Sequence, residues 1–228
     1  MRWLVRRSLL ATVAPMVAPM VARPALAQSV QSSPLGWAGW MRCDVNVQGP
    51  GYTDQMTHTW VMGGAPTVDG AFRVYPGTWS VAGGGGLHRT RGTTSLNAQW
   101  AANVQPLSAP FAVYVRASDG KMFIQSRHTQ LRARGAIQGY QQQTVAGKTQ
   151  RPAPISLEAF EWLFPALEVP AARTTLSGSM TLPTTGSVGV MQPAGSQGTS
   201  KCSWEFGQGA AAPAPPPAVP ARAVPVAP

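Results

Sequence analysis

Apolar and polar residues alternate with a period of two along most of the middle of the chain, the spacing of half-buried strands. From Trp37 to Gln48, the residues Trp37, Met41, Cys43, Val45 and Val47 fall on one face and Arg42, Asp44, Asn46 and Gln48 on the other. Gly49-Pro50-Gly51 reads as a turn. Tyr52 to Met62 then sets Tyr52, Met56, Trp60 and Met62 against Thr53, Gln55, Thr57 and Thr59, so the two segments predict a hairpin. Ala71 to Tyr75 and Thr78 to Ala82 read as short strands. Leu96, Ala98, Trp100, Ala102 and Val104 alternate with Asn97, Gln99 and Asn103. Asp119-Gly120, between Phe111 to Arg116 and Met122 to Thr129, is the strongest hairpin signal in the chain. Leu131 to Tyr140, Thr175 to Leu182 and Lys201 to Phe206 alternate again.

One helix is expected, over Leu157 to Phe164. Ser156 is placed to cap it and Pro165 to stop it, and its apolar residues surround most of the axis, as in a plug over one end of the sheets. The fold class is therefore all-β: a β-sandwich or closed antiparallel sheet of about eight to ten strands with one short helix. The polar face of each strand is rich in Thr, Gln and Ser and is expected to meet water.

Composition supports this. Of 228 residues, 24 are Gly and 22 are Pro, too many for long helices, while eight Trp give the chain enough apolar surface for a core. No run approaches the roughly 18 apolar residues of a membrane-spanning helix.

The two ends read differently from the middle. Residues 1–27 have the form of an export signal: Arg2, Arg6 and Arg7, an apolar run from Ser8 to Ala22, then Ala25-Leu26-Ala27 before the expected mature terminus at Gln28. Arg6-Arg7-Ser8-Leu9-Leu10 resembles the twin-arginine signal, and a Sec signal with two arginines fits as well. Either implies a protein exported to the periplasm or beyond. Residues 28–35 form a short linker, 36–208 the β domain, and 209–228 a tail with seven prolines, expected to be disordered and extended, as a stiff spacer or a solvated segment. Cleavage removes Arg2, Arg6, Arg7 and Arg23 and no acid, lowering the net charge from +10 to +6. So mild a charge permits contact with anionic polymers and does not require nucleic acid.

Two cysteines, Cys43 and Cys202, flank nearly all of the β domain. In an oxidising compartment they read as one disulfide that joins the first and last strands.

Candidate chemistry is sparse. Gly147-Lys148-Thr149 has the end of a phosphate-binding loop, but Gln142 stands where that loop needs its first Gly. The run Gly83 to Gly86, near Arg89 and Arg91, reads as an anion-binding nest or, preferably, as a loop or bulge. His58, His88 and His128 lack the spacing of metal ligands, and no metal or cofactor is expected. Glu158 and Glu161 share a face of the expected helix and there read as a solvated side or as paired carboxylates. The least weak constellation is basic and aromatic. Arg132 and Arg134 share one strand face, as do Arg89 and Arg91, while Trp40 and Tyr140 are expected to be exposed for stacking. The competing reading is of basic residues scattered on a solvated face. The function expected is a non-catalytic envelope or extracellular binding or structural module that contacts an anionic polymer or glycan. The alternative is an exported hydrolase acting on polysaccharide or peptidoglycan.

Overall fold

The computed structural model describes residues 36–127, 131–160, 166–170, 173–184 and 193–209, and in the tail residues 213, 214, 216, 217, 220, 222 and 223. The proposed export signal lies outside the described residues.

The chain is all-β, in two antiparallel sheets that form a sandwich. Fourteen strands are formed among the described residues. They are β1 Trp37–Gly49, β2 Tyr52–Met62, β3 Thr67–Asp69, β4 Phe72–Tyr75, β5 Gly77–Arg91, β6 Thr94–Ser108 and β7 Phe111–Val115, then β8 Met122–Ser126, β9 Arg132–Val145, β10 Lys148–Thr149, β11 Ala153–Phe160, β12 Leu167–Val169, β13 Thr175–Thr184 and β14 Gln197–Gln208. The large sheet runs β10-β9-β6-β5-β2-β1-β14-β13, with β11 also paired to β9. The small sheet runs β12-β8-β7-β4-β3. Successive hairpins alternate between the sheets: β1-β2 large, β3-β4 small, β5-β6 large, β7-β8 small.

Turn chemistry matches the expected hairpins. Gly51 takes φ +65° between β1 and β2, and its carbonyl accepts a 2.7 Å bond from the His88 N–H of β5. Gly120 takes φ +67° between β7 and β8. Ala146 and Gly147, both at positive φ, make the two-residue turn joining β9 to β10, so Gly147-Lys148-Thr149 is a hairpin end.

One core fills the space between the sheets. Trp37, Met41, Trp60, Trp79 and Trp100 come from the large sheet and Tyr75, Phe111 and Ile124 from the small one. Each is at most 1% exposed. The small sheet's outward face carries a row of aromatic rings, Phe72–Tyr114–Phe123, with centroids 5.3 and 5.5 Å apart. Arg127 lies over the Phe72 ring and Arg116 over the Phe123 ring, and each guanidinium is also paired, with Asp69 and Asp119 respectively. This row lies on the face turned away from the large sheet.

Two expectations are corrected. Leu157 to Phe160 are not helical: they belong to β11, where Ile155 and Leu157 alternate with Ser156 and Glu158 along the edge of β9. Residues 161–165 of the expected helix lie outside the described residues. Gly83 to Gly86 are not a loop either. They run through the middle of β5, paired to Met56–Thr53 of β2 on one side and to Ala102–Gln99 of β6 on the other. Both flanking ladders hold a segment whose own strand propensity is poor. Packing supplies the reason at Gly85. A Cβ there would sit 2.7 Å from Trp100 Cζ2 and 2.2 Å from the Thr53 carbonyl oxygen, so the Trp100 indole occupies the space a side chain would need.

The disulfide is formed. Cys43 and Cys202 stand directly opposite each other in the β1–β14 ladder, joined across 159 positions of sequence. Replacing both by Ala is expected to lower the unfolding free energy by about 2–5 kcal/mol. Urea unfolding of the oxidised protein, the reduced protein and the double variant measures this. The reduced and variant curves should coincide below the oxidised one.

Candidate functional site

The register of the large sheet decides which side chains meet. On its core face β2 carries two buried polar side chains, His58 and Asp54, four residues apart. His58 is 1% exposed, between Trp60 at a centroid distance of 5.8 Å and Trp79 at 6.0 Å, and its Nδ1 accepts from Trp79 Nε1 at 3.3 Å. Burial pushes the imidazole pKa from 6.5 down to about 3, so it is neutral at every physiological pH. Asp54 is fully buried and accepts from Trp100 Nε1 at 3.4 Å. Tyr52, packed on Trp100, has its hydroxyl pKa raised by burial and then by the Asp54 charge. His58 and Asp54 are sealed from solvent, and each accepts one indole N–H within the core. Among the described residues, no three His, Cys, Asp or Glu side chains converge on a common point. His88 lies on the outer face beside Asn97, and His128 is outside the described residues.

The sequence-predicted basic and aromatic residues do not form one patch. Arg89 and Arg91 continue the core-face side of β5 beyond Leu87, at the β5–β6 turn. Arg132 and Arg134 stand on the outer face at the opposite end of β9, where both approach Glu158, at 3.8 and 3.3 Å. Arg89 is level, through Leu96, with Gln143 of β9. The two pairs are therefore about 30 Å apart along the strands and on opposite faces. Trp40 and Tyr140 share the outer face and are half-buried rather than exposed. Tyr140 lies in the row Tyr140–Gln99–Gly86–Thr53–Gln48, whereas Trp40 lies in the row Trp40–Val61–Thr78–Ser108. Eight positions of β1 separate those rows, about 27 Å.

What the outer face does assemble is a trench. Gly84 and Gly86 of β5 point outward with no side chain, and Ala82 and Ala101 continue the low floor. Thr53, Gln55 and Thr57 of β2 rise on one side, and Gln99 and Asn103 of β6 on the other, with Tyr140 and Gln138 beyond Gln99 and Ala101. Two hollows lie along this floor. One, of about 320 Å³, is lined by Thr53, Gln55, the glycines, Gln99 and Trp100. The other, of about 480 Å³, reaches Asp44 and Asn46 of β1. Arg222 of the tail borders both.

The trench walls are amides and hydroxyls, groups that both donate and accept without titrating. The nearest acid, Asp44, already accepts from Arg42 at 3.0 Å and from Thr57 at 2.7 Å. Such a lining suits a ligand rich in hydroxyls or amides more than a highly charged one. Reading residues one by one missed Thr53, Gln55, Gln99, Asn103 and Arg222, and took Gly84 and Gly86 for part of a loop or bulge. The available signal was that alternate glycines on a central strand leave a gap on one face.

Comparison with protein-family models, with curated proteins and with solved structures finds no match.

The buried imidazole sets a pH dependence. An unfolded His58 takes up a proton near pH 6.5, while the folded one holds off until about pH 3. Its contribution to stability is thus complete above pH 6.5 and is lost as the pH falls towards 3, at up to about 1.4 kcal/mol per unit. His58→Gln keeps an acceptor for Trp79 and removes the titration. Its urea-derived stability should fall less steeply than that of the wild type between pH 6 and 4. Parallel curves would rule out this origin.

Proposed function

We propose that the protein is a non-catalytic binding module of the bacterial envelope or extracellular space, and that the trench over Gly84 and Gly86 is its contact surface for a glycan. The observation that carries this reading is the trench itself: a floor of Gly and Ala between walls of Thr, Gln and Asn, on strands paired on both sides. A sugar polymer presents equatorial hydroxyls and apolar ring faces. The amides exchange hydrogen bonds with the former, and Tyr140, one position beyond Gln99, offers a ring edge for the latter. Export supports the assignment from the sequence side. The signal-like residues 1–27 and the disulfide both fit an oxidising compartment outside the cytoplasm.

The anionic-polymer version is less well supported. Glu158 partly neutralises the Arg132–Arg134 pair, and Arg89 and Arg91 face away from the trench. A hydrolase would need a titratable pair in contact with substrate, and the trench walls carry none.

Affinity electrophoresis of the mature chain through gels containing dextran, soluble chitin oligomers or solubilised peptidoglycan tests the reading. Retardation by at least one glycan is expected, weakened about tenfold or more by Gln55→Ala with Gln99→Ala, the cost of two hydrogen bonds. The pair Arg132→Ala with Arg134→Ala should leave it unchanged. Migration unaffected by every glycan, or retardation insensitive to the trench variant, sinks the proposal.

A further inference from the structure

The trench is not bare. Pro220 and Arg222, from the proline-rich segment that follows β14, lie on its floor. Asn103 Nδ2 donates to the Arg222 carbonyl oxygen at 2.8 Å, a contact spanning 119 positions of sequence. The Arg222 side chain crosses Gly84, its Cδ lying 3.1 Å from where a Cβ on that glycine would stand. A Cβ at position 84 would press on this stem, which would have to give by a few tenths of an ångström. Two further features on the same face agree with cover. Ala101 points outward yet is 1% exposed, and Asn103 Oδ1 is buried. Arg222 itself keeps substantial exposure, so the segment lies in an open trench and not in a closed tunnel.

We infer that the trench is a receptor for an arginine of a proline-rich chain, and that its resident occupant is the tail of the same chain at Pro220 and Arg222, which an external ligand must displace. Three properties of the segment suit the role. Proline fixes φ, so Pro220 loses little entropy on docking. The Arg stem has no branch at Cβ and can lie along a glycine floor. The Arg222 backbone also offers its carbonyl to a side-chain amide, the bond that Asn103 makes. The displacement rests on the reading of the trench as the binding surface, whereas the docking stands on the contacts alone.

Arg222 is the only basic residue between Gly209 and Pro228, so trypsin can cut this segment at one bond, after Arg222. That bond contains the carbonyl held by Asn103. Trypsin must take both this carbonyl and the Arg222 side chain into its own site, so cleavage requires undocking. Loss of residues 223–228, followed by intact mass, is expected to be roughly tenfold slower in the wild-type chain than in Asn103→Ala, the factor of one hydrogen bond. A free peptide of residues 213–228 should be cut fastest. A second measurement does not depend on the sheet tolerating a substitution. Arg222→Ala, which changes only the tail, should shift the amide NMR signals of Gly84 and Gly86 and the side-chain amide of Asn103, and leave Gly120 in place. Wild-type cleavage at the peptide's rate, or unmoved glycine signals in Arg222→Ala, overturns the docking. Protection that grows with protein concentration also overturns it as stated, because the occupant would then come from a second copy. Glycan retardation separates the two proposals. With docking established, Arg222→Ala should bind glycan about tenfold more tightly. Equal affinity overturns the displacement alone, and absence of glycan binding in both proteins overturns the glycan reading while the docking stands.

Discussion

The pairing of β1 with β14 is the constraint on which the rest of this structure depends. It joins the first and last strands of the domain one strand in from an edge of the large sheet, where each has a neighbour on both sides. Contacts so distant in sequence are costly to close, because chain entropy is lost before the ladder repays it. A ladder of paired residues from Trp37–Gln208 to Gln48–Gln197 offsets that cost, and the Cys43–Cys202 bond removes much of it once formed. The bond also fixes register. A slip of one residue would turn Met41, Val45 and Val47 outward and bring Arg42 and Asp44 into the core, so one covalent link specifies the face of every residue in both strands.

That fixed register then propagates across the sheet. Cys43 is opposite His58, His58 opposite Val81, and Val81 opposite Val104. Each row inherits its face from the one before. The core therefore receives a polar row, His58 and Asp54, as an accompaniment of four buried tryptophans, two of whose indole N–H groups these side chains accept. Buried indole donors need partners, and a neutral imidazole meets that need without the cost of a buried charge. The same inheritance carries Thr53, Gln55 and Gln99 to the outer face, on either side of glycines whose own backbone is fully paired.

Much of the fold was legible because its longer strands alternate strictly. β1, β2, the apolar half of β6, and β14 were readable from residues such as Met41, Val45, Trp60 and Trp100, and the turns from Gly51 and Gly120. β11 was misread for a physical reason. Ile155, Leu157 and Ala159 do alternate, but Phe160 follows Ala159, and Ser156, which reads as a helix cap, lies inside the strand. β3 and β12, of three residues each, are too short to show any period. The candidate site was legible least. Alternation places Arg132, Arg134 and Tyr140 on one face of β9 but says nothing of which strands flank it or which end of the sheet each occupies. The glycine run was visible, yet its meaning depended on β2 and β6 lying on both sides, which only the sheet order reveals.

The trench follows from a conflict between the two faces of one strand. Gly85 is glycine because Trp100 fills the core space beneath it, and Gly83 packs against Met56 on that same side. Those two positions explain why half the run lacks side chains. They do not explain Gly84 and Gly86, which point away from the core and where Thr or Val would stabilise the strand. Packing across the ladder restricts Gly84, since a Cβ there would come within 2.4 Å of the Trp100 carbonyl oxygen, but Gly86 meets nothing closer than 3.3 Å. Gly86 is thus less tightly constrained than Gly84, although a Cβ there would still press on the Ala98 carbonyl oxygen. Its place beside a row of amides, two positions from the glycine that the Arg222 stem crosses, leaves the outer face open at that point of the strand.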